Sequence, residues 1–155
     1  EQVKIKNKKH LLSDVVKVNV NGEFFIVINK GETHGVKKGD VVVWGEALAG
    51  EVSEVLSDFS YITPITAPDK MTGVKNKNQD AGLITGDAAL YKKNMCRISY
   101  FSENVKVSRE EILITSGLSD TFPEGLLIGK TVSGDTVKTE VDFFKIRTLS
   151  VLISE

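Results

Sequence analysis

At 155 residues the chain is long enough to bury roughly 68–70% of the surface its unfolded form exposes, so it can fold without staples. Its 41% hydrophobic and 26% charged residues exclude disordered and collagen-like classes. A net charge of −1, with basic residues spread along the sequence, excludes the footprint of a nucleic-acid binder, and a single cysteine excludes an internal disulfide or a cysteine-rich zinc site.

Residues 1–13 read as the end of a helical stalk or as a disordered leader: Ile5 and Leu12 stand seven apart, in a stretch too short to establish a heptad. Lys4, Lys6, Lys8 and Lys9 form a solvated face there. The sequence opens on Glu1 without an initiator Met, and no window holds the ~18 to 20 consecutive apolar residues of a membrane helix. Any anchoring or targeting segment is therefore expected upstream.

Sheet begins at residues 15–20 and 23–28, two β-branched and aromatic runs separated by Asn21-Gly22, the pair that best fits a tight hairpin turn. Gly31, Gly35 and Gly39 then fall four apart. No Gly-Lys-Ser/Thr closes a phosphate loop, and three glycines at about 1 kcal/mol each argue against a helix, so the segment reads as an irregular turn with left-handed backbone angles. Strand-like runs follow at 41–44, 47–56, 61–66, 71–75, 82–85, 96–101, 112–115, 126–132, 137–144 and 149–154. In the run from 137, Val137, Thr139, Val141 and Phe143 alternate with Lys138, Glu140 and Asp142.

About ten short strands with glycine-rich connections and no long helical period give an all-β class. Pro68 and Pro123, with Gly117 and Gly125 beside the second, bracket a segment with its own strand-turn-strand pattern. The expected layout is two small β-barrels, the second inserted into the first: residues 14–67 plus 122–155 form one and 68–121 the other. Contacts between residues 15–66 and 122–154 are the consequence.

Catalytic chemistry finds few supports. A Ser/His/Asp hydrolase would need Ser116 beside a positioned base and an oxyanion hole. His10 lies in the lysine-rich leader, His34 lies in the glycine turn, and neither Gly-x-Ser-x-Gly nor Gly-Asp-Ser-Gly occurs. Ser116 reads as a turn residue, and the chain as no enzyme. Two distant histidines and one cysteine make no metal shell, and Asp40, Asp80 and Asp87 lack calcium-loop spacing. No metal or cofactor is expected. Cys96, in an apolar-alternating run, reads as a small buried hydrophobe. A glycan- or ligand-binding barrel would need an aromatic cleft, for which Trp44 is the one tryptophan.

From about Phe24 onward the order of motifs resembles the MreC family of rod-shape-determining proteins. The matching residues are Ile28-Asn29-Lys30-Gly31, Gly35-Val36, Gly39, Val41-Val42-Val43 and Leu48-Ala49-Gly50-Glu51-Val52. The most distinctive succession is Thr115-Ser116-Gly117-Leu118, Phe122-Pro123-Glu124-Gly125 and Ile128-Gly129-Lys130, and residues 143–153 resemble the family's last strand. Glu110-Glu111 and Ala67-Pro68-Asp69 depart from the family pattern at expected turns. The resemblance implies a non-enzymatic scaffold with two extracytoplasmic barrels, held to the cytoplasmic membrane by an upstream anchor and coiled-coil stalk. It also implies as partners a class B penicillin-binding protein, MreD, other cell-elongation proteins and further copies of the chain.

A scaffold acts through its surface. The second barrel holds more apolar side chains than about fifty residues bury easily, and Leu83, Tyr91 and Phe101 are its candidate partner-binding residues.

Overall fold

The computed structural model describes residues 8–102, 107–118 and 122–154. Twelve strands account for nearly all the regular structure: β1 (Lys8–Asn19), β2 (Phe25–Ile28), β3 (Val41–Trp44), β4 (Ala47–Val55), β5 (Ser60–Pro64), β6 (Met71–Lys75), β7 (Ala81–Thr85), β8 (Met95–Phe101), β9 (Ile112–Thr115), β10 (Leu127–Thr131), β11 (Thr136–Thr139) and β12 (Thr148–Ser154). The all-β class follows from β-branched runs too short and too interrupted by glycine for helix.

The strands close into two six-stranded rings. In the first, β4 pairs with β3, β3 with β12, β12 with β1, β1 with β2, β2 with β5, and β5 returns to β4. In the second, β10 pairs with β11, β11 with β8, β8 with β7, β7 with β6, β6 with β9, and β9 returns to β10. The β6–β9 seam is the narrowest, with two residue pairs, Val74 with Thr115 and Lys75 with Ile114. Closure removes most free strand edges, which are templates for unwanted pairing.

The ladders differ from the expected division in two places. Residues 127–139, assigned to the first barrel, pair as β10 and β11 with β9 and β8 of the second. Strand existence was readable from alternation, whereas the choice of neighbour depends on contacts distant in sequence. Residues 8–13, assigned to a stalk or leader, form the start of β1. They pair in unbroken register with β12, Lys8 opposite Ser154 through Ser13 opposite Leu149, and Ser13 is buried with its hydroxyl donating to the Leu149 carbonyl at 2.8 Å. Residues 1–7 lie outside the described residues.

Two local details also differ. The Asn21-Gly22 pair does not make a two-residue turn: β1 ends at Asn19, opposite Phe25, leaving a five-residue loop. The Asn19 carboxamide donates to the carbonyls of Asn21 and Glu23, at 3.3 and 2.7 Å, which holds this wider loop and turns Phe24 inward. The run from 137 leaves the ladder at Thr139, yet Val137, Thr139, Val141 and Phe143 are all buried. Period-two burial outlasts the strand because Thr139 Oγ1 bends the chain by donating to the Val141 carbonyl at 2.8 Å.

The glycine segment matches its reading as an irregular turn. A short 3₁₀ turn spans Glu32–His34, and Gly35 and Gly39 adopt φ of 93° and 92°. Gly31 serves close approach instead, since a Cβ there would stand 2.2 Å from the Leu56 carbonyl oxygen.

One apolar core runs through both rings. Ile26, Val42, Leu48, Val52, Ile62 and Val151 fill the first, and Val74, Ile84, Leu113, Ile128 and Val137 the second. Each such side chain contributes roughly 1.5–3 kcal/mol by leaving water. At the waist β10 meets β4 in parallel, Leu127 beside Ala47, with the Leu127 N–H donating to the Glu46 carbonyl at 3.0 Å. Lys70 forms an ion pair with Glu51 across the waist, and Phe24 stacks against Tyr91 and Phe144 at centroid distances of 4.8 and 5.7 Å.

Candidate partner-binding surface

The groups that could have carried catalysis are tied into backbone structure. The Ser116 N–H donates to the Gly73 carbonyl at 3.1 Å, while its Oγ accepts from the Leu118 N–H at 3.3 Å. His34 Nδ1 accepts from the Gly31 N–H at 3.0 Å, closing its own 3₁₀ turn. His10 lies on β1 opposite Leu152. Ser116 therefore belongs to the second ring and both histidines to the first. Cys96 is fully buried on β8, its thiol donating to the Ile65 carbonyl at 3.6 Å, and burial pushes its pKa from 9.0 up to about 12. Such a thiol is a core side chain at neutral pH. Among the described residues, no three His, Cys, Asp or Glu side chains gather as a metal site.

What the second ring offers is surface. On its outer face Gly73 of β6, Leu83 of β7 and Tyr100 of β8 stand side by side across three strands. Tyr100 is 59% exposed, Met71 at the start of β6 is 60% exposed, and Leu83 between them is half-buried. The cross-strand row carries no charge, and the adjacent Arg97 is engaged by Asp87 at 3.3 Å.

A β-bulge creates this row. Ile84 pairs with Ile98 but Leu83 pairs with Tyr100, so Ser99 is the extra residue on β8. Ser99 Oγ shares a hydrogen bond with Thr85 Oγ1 at 2.8 Å and donates to the Leu83 carbonyl at 3.1 Å, pinning the bulge. Beyond it the side-chain alternation reverses: Tyr100 turns outward and Phe101 turns toward the core. Phe101 lies over Gly82, where an added Cβ would stand 2.1 Å from its Cδ1.

The three expected residues thus occupy three settings, each half-buried. Leu83 lies on the outer face, Phe101 on the opposite face of the neighbouring strand, and Tyr91 at the waist against Phe24. Tyr100 and Met71 belong to the surplus apolar runs of this segment but are not among those three residues. Strict alternation from buried Cys96 would have turned Tyr100 inward, and nothing in the residues marks Ser99 as a bulge.

No helix among the described residues is long and apolar enough to cross a membrane. A family model described as rod shape-determining protein MreC, barrel core, matches residues 15–152. Solved structures share the fold. MreC from Pseudomonas aeruginosa is 22% identical at a TM-score of 0.82, covering 92% of this chain and 98% of that one. MreC from Listeria monocytogenes is 21% identical at 0.80, covering 99% and 81%. The complex of the penicillin-binding protein PBP2 with MreC from Helicobacter pylori contains a chain 12% identical at 0.64, covering 94% and 98%. No curated protein sequence matches. Agreement of the family model over residues 15–152 with the double-ring fold has one reading: the chain belongs to the MreC family of rod shape-determining proteins.

Proposed function

We propose that this chain is the extracytoplasmic scaffold region of a cell-elongation assembly, which binds a class B penicillin-binding protein, MreD and further copies of itself and performs no chemistry. Membership of a shape-determining family and the solved complex of a relative with PBP2 support the reading. The observation that carries it is the uncharged, outward row of Leu83 and Tyr100 with Met71 beside it. Exposed apolar surface of this kind, on a barrel whose edges are otherwise closed, suits association with another protein. Leu83 provides the centre of the surface; Phe101 packs on the opposite face against Gly82, and Tyr91 lies at the waist against Phe24.

The test is binding of this chain to the extracytoplasmic part of the class B penicillin-binding protein from the same organism, measured by surface plasmon resonance. Saturable binding that Ser116→Ala and His34→Ala leave intact is expected. Absence of binding by the folded chain, or hydrolytic activity lost in Ser116→Ala, overturns the proposal.

A further inference from the structure

A second surface lies on the first ring, away from the Leu83 row. Where β2, β4 and β5 face outward beside the waist, a cleft of about 500 Å³ is walled by Phe25, Tyr61 and Pro68 and rimmed by Glu23 and Glu54. That volume is within the range of ligand-sized pockets. Its rings are set in place by the sheet, with Phe25 and Tyr61 at a centroid distance of 5.1 Å and tilted by 34°. A bulge again aims the key side chain: Val52 pairs with Ile62 and Glu54 with Tyr61, so Ser53 is the additional residue, its hydroxyl donating to the Tyr61 carbonyl at 3.1 Å. Glu54 is thereby placed directly opposite Tyr61.

The charge of the cleft is one-sided. Two carboxylates rim it, and among the described residues no lysine, arginine or histidine lines it. Glu51, the neighbouring carboxylate on β4, is already engaged by Lys70, whereas Glu23 and Glu54 make no ion pair among the described residues. Aromatic faces beside unpaired carboxylates suit a planar cation that stacks and donates hydrogen bonds at once. Guanidinium meets that description better than ammonium, because it is planar and weakly hydrated.

We infer that this cleft receives an arginine side chain presented by an extended segment of a partner protein, its guanidinium over Tyr61 and between Glu23 and Glu54. The site is distinct from the Leu83 row and does not depend on it.

The probe is the peptide N-acetyl-Thr-Arg-Thr-amide, titrated into the ¹⁵N-labelled chain and followed by NMR, beside its citrulline counterpart, which has the same shape without the charge. Saturable shifts of the Glu54, Tyr61 and Phe25 amides are expected, with a dissociation constant on the order of 1 mM. The citrulline peptide should bind about fivefold more weakly or worse, and Glu23→Gln with Glu54→Gln should weaken the arginine peptide by a similar factor. Both substitutions are at exposed positions, so the melting temperature reports that the fold is kept. Leu83→Glu should leave the titration unchanged, which separates this site from the proposed synthase surface. Equal response to the two peptides, indifference to the double substitution, or no saturable shift at these amides overturns the assignment. A chitotetraose titration that saturates the same amides while the arginine peptide does not would make the cleft a glycan site instead.

Discussion

Asn94 and Asp142 are joined by a hydrogen bond of 2.9 Å from the Asn94 carboxamide to Asp142 Oδ1, and the carboxamide oxygen accepts the Phe143 N–H, also at 2.9 Å. Asn94 ends the short turn Tyr91–Lys93 ahead of β8, while Asp142 and Phe143 lie on the connection that carries the chain from β11 back to β12. The pair therefore fixes the return path between the rings, and with it the fully buried Phe143 ring.

Removing this clamp should destabilise the whole molecule. Asn94 is left-handed, at φ 57°, so Asn94→Gly keeps the backbone and deletes only the two side-chain bonds. The expected loss in urea denaturation is about 1–3 kcal/mol. Asn94→Ala should cost roughly 1 kcal/mol more, because a non-glycine residue lacking a polar side chain is strained there. A change below about 0.5 kcal/mol for Asn94→Gly would show that the clamp contributes nothing net.

The reversed alternation beyond Ser99 predicts opposite behaviour for two adjacent aromatics. Tyr100→Glu, on the outer face, should stay within about 0.5 kcal/mol of the parent in stability. Phe101→Glu directs a carboxylate toward the core and should cost more than about 2 kcal/mol. Thermal unfolding of the two variants side by side decides it; equal effects would contradict the bulge.

Cys96 links stability to alkaline pH. Its thiol pKa is raised by burial from 9.0 to about 12 in the folded state, so between those values the unfolded chain releases a proton that the native chain retains. The unfolded state alone is favoured by that release, and stability must fall as pH rises. The slope approaches about 1.4 kcal/mol per pH unit between the two pKa values. Cys96→Ala should remove this component, so the parent should lose stability relative to the variant as pH is raised from 8 to 11, and the deficit that the truncated core side chain gives the variant at pH 8 should narrow or reverse. A constant difference would refute it. Native-state alkylation at pH 8 should proceed only through unfolding.

Much of the fold was legible because its signals are local. The β-branched runs at 15–20, 41–44 and 149–154 all lie within strands or at their ends, and Val137, Thr139, Val141 and Phe143 are buried as their alternation required. What escaped depends on partners. Lys8 to His10 carry polar, exposed side chains, and only pairing with β12 makes them strand. Residues 127–139 alternate as a strand would in either barrel, and the ladders to β8 and β9 decide between them. On the candidate surface Leu83 was readable as an apolar strand residue, while Tyr100 depends on one inserted residue, Ser99, which no local pattern distinguishes from its neighbours.

Binding of a penicillin-binding protein by the outer row of the second ring is the core of the proposed function. It is tested most directly by measuring the affinity of the double variant Leu83→Glu/Tyr100→Glu for that partner's extracytoplasmic part, alongside the parent chain and a Leu12→Glu control on the exposed face of β1. A loss of at least about 30-fold is expected for the double variant, the effect of about 2 kcal/mol typical of central interface residues, with the control unchanged and melting temperatures within a few degrees of the parent. Undiminished affinity in a folded double variant would contradict it.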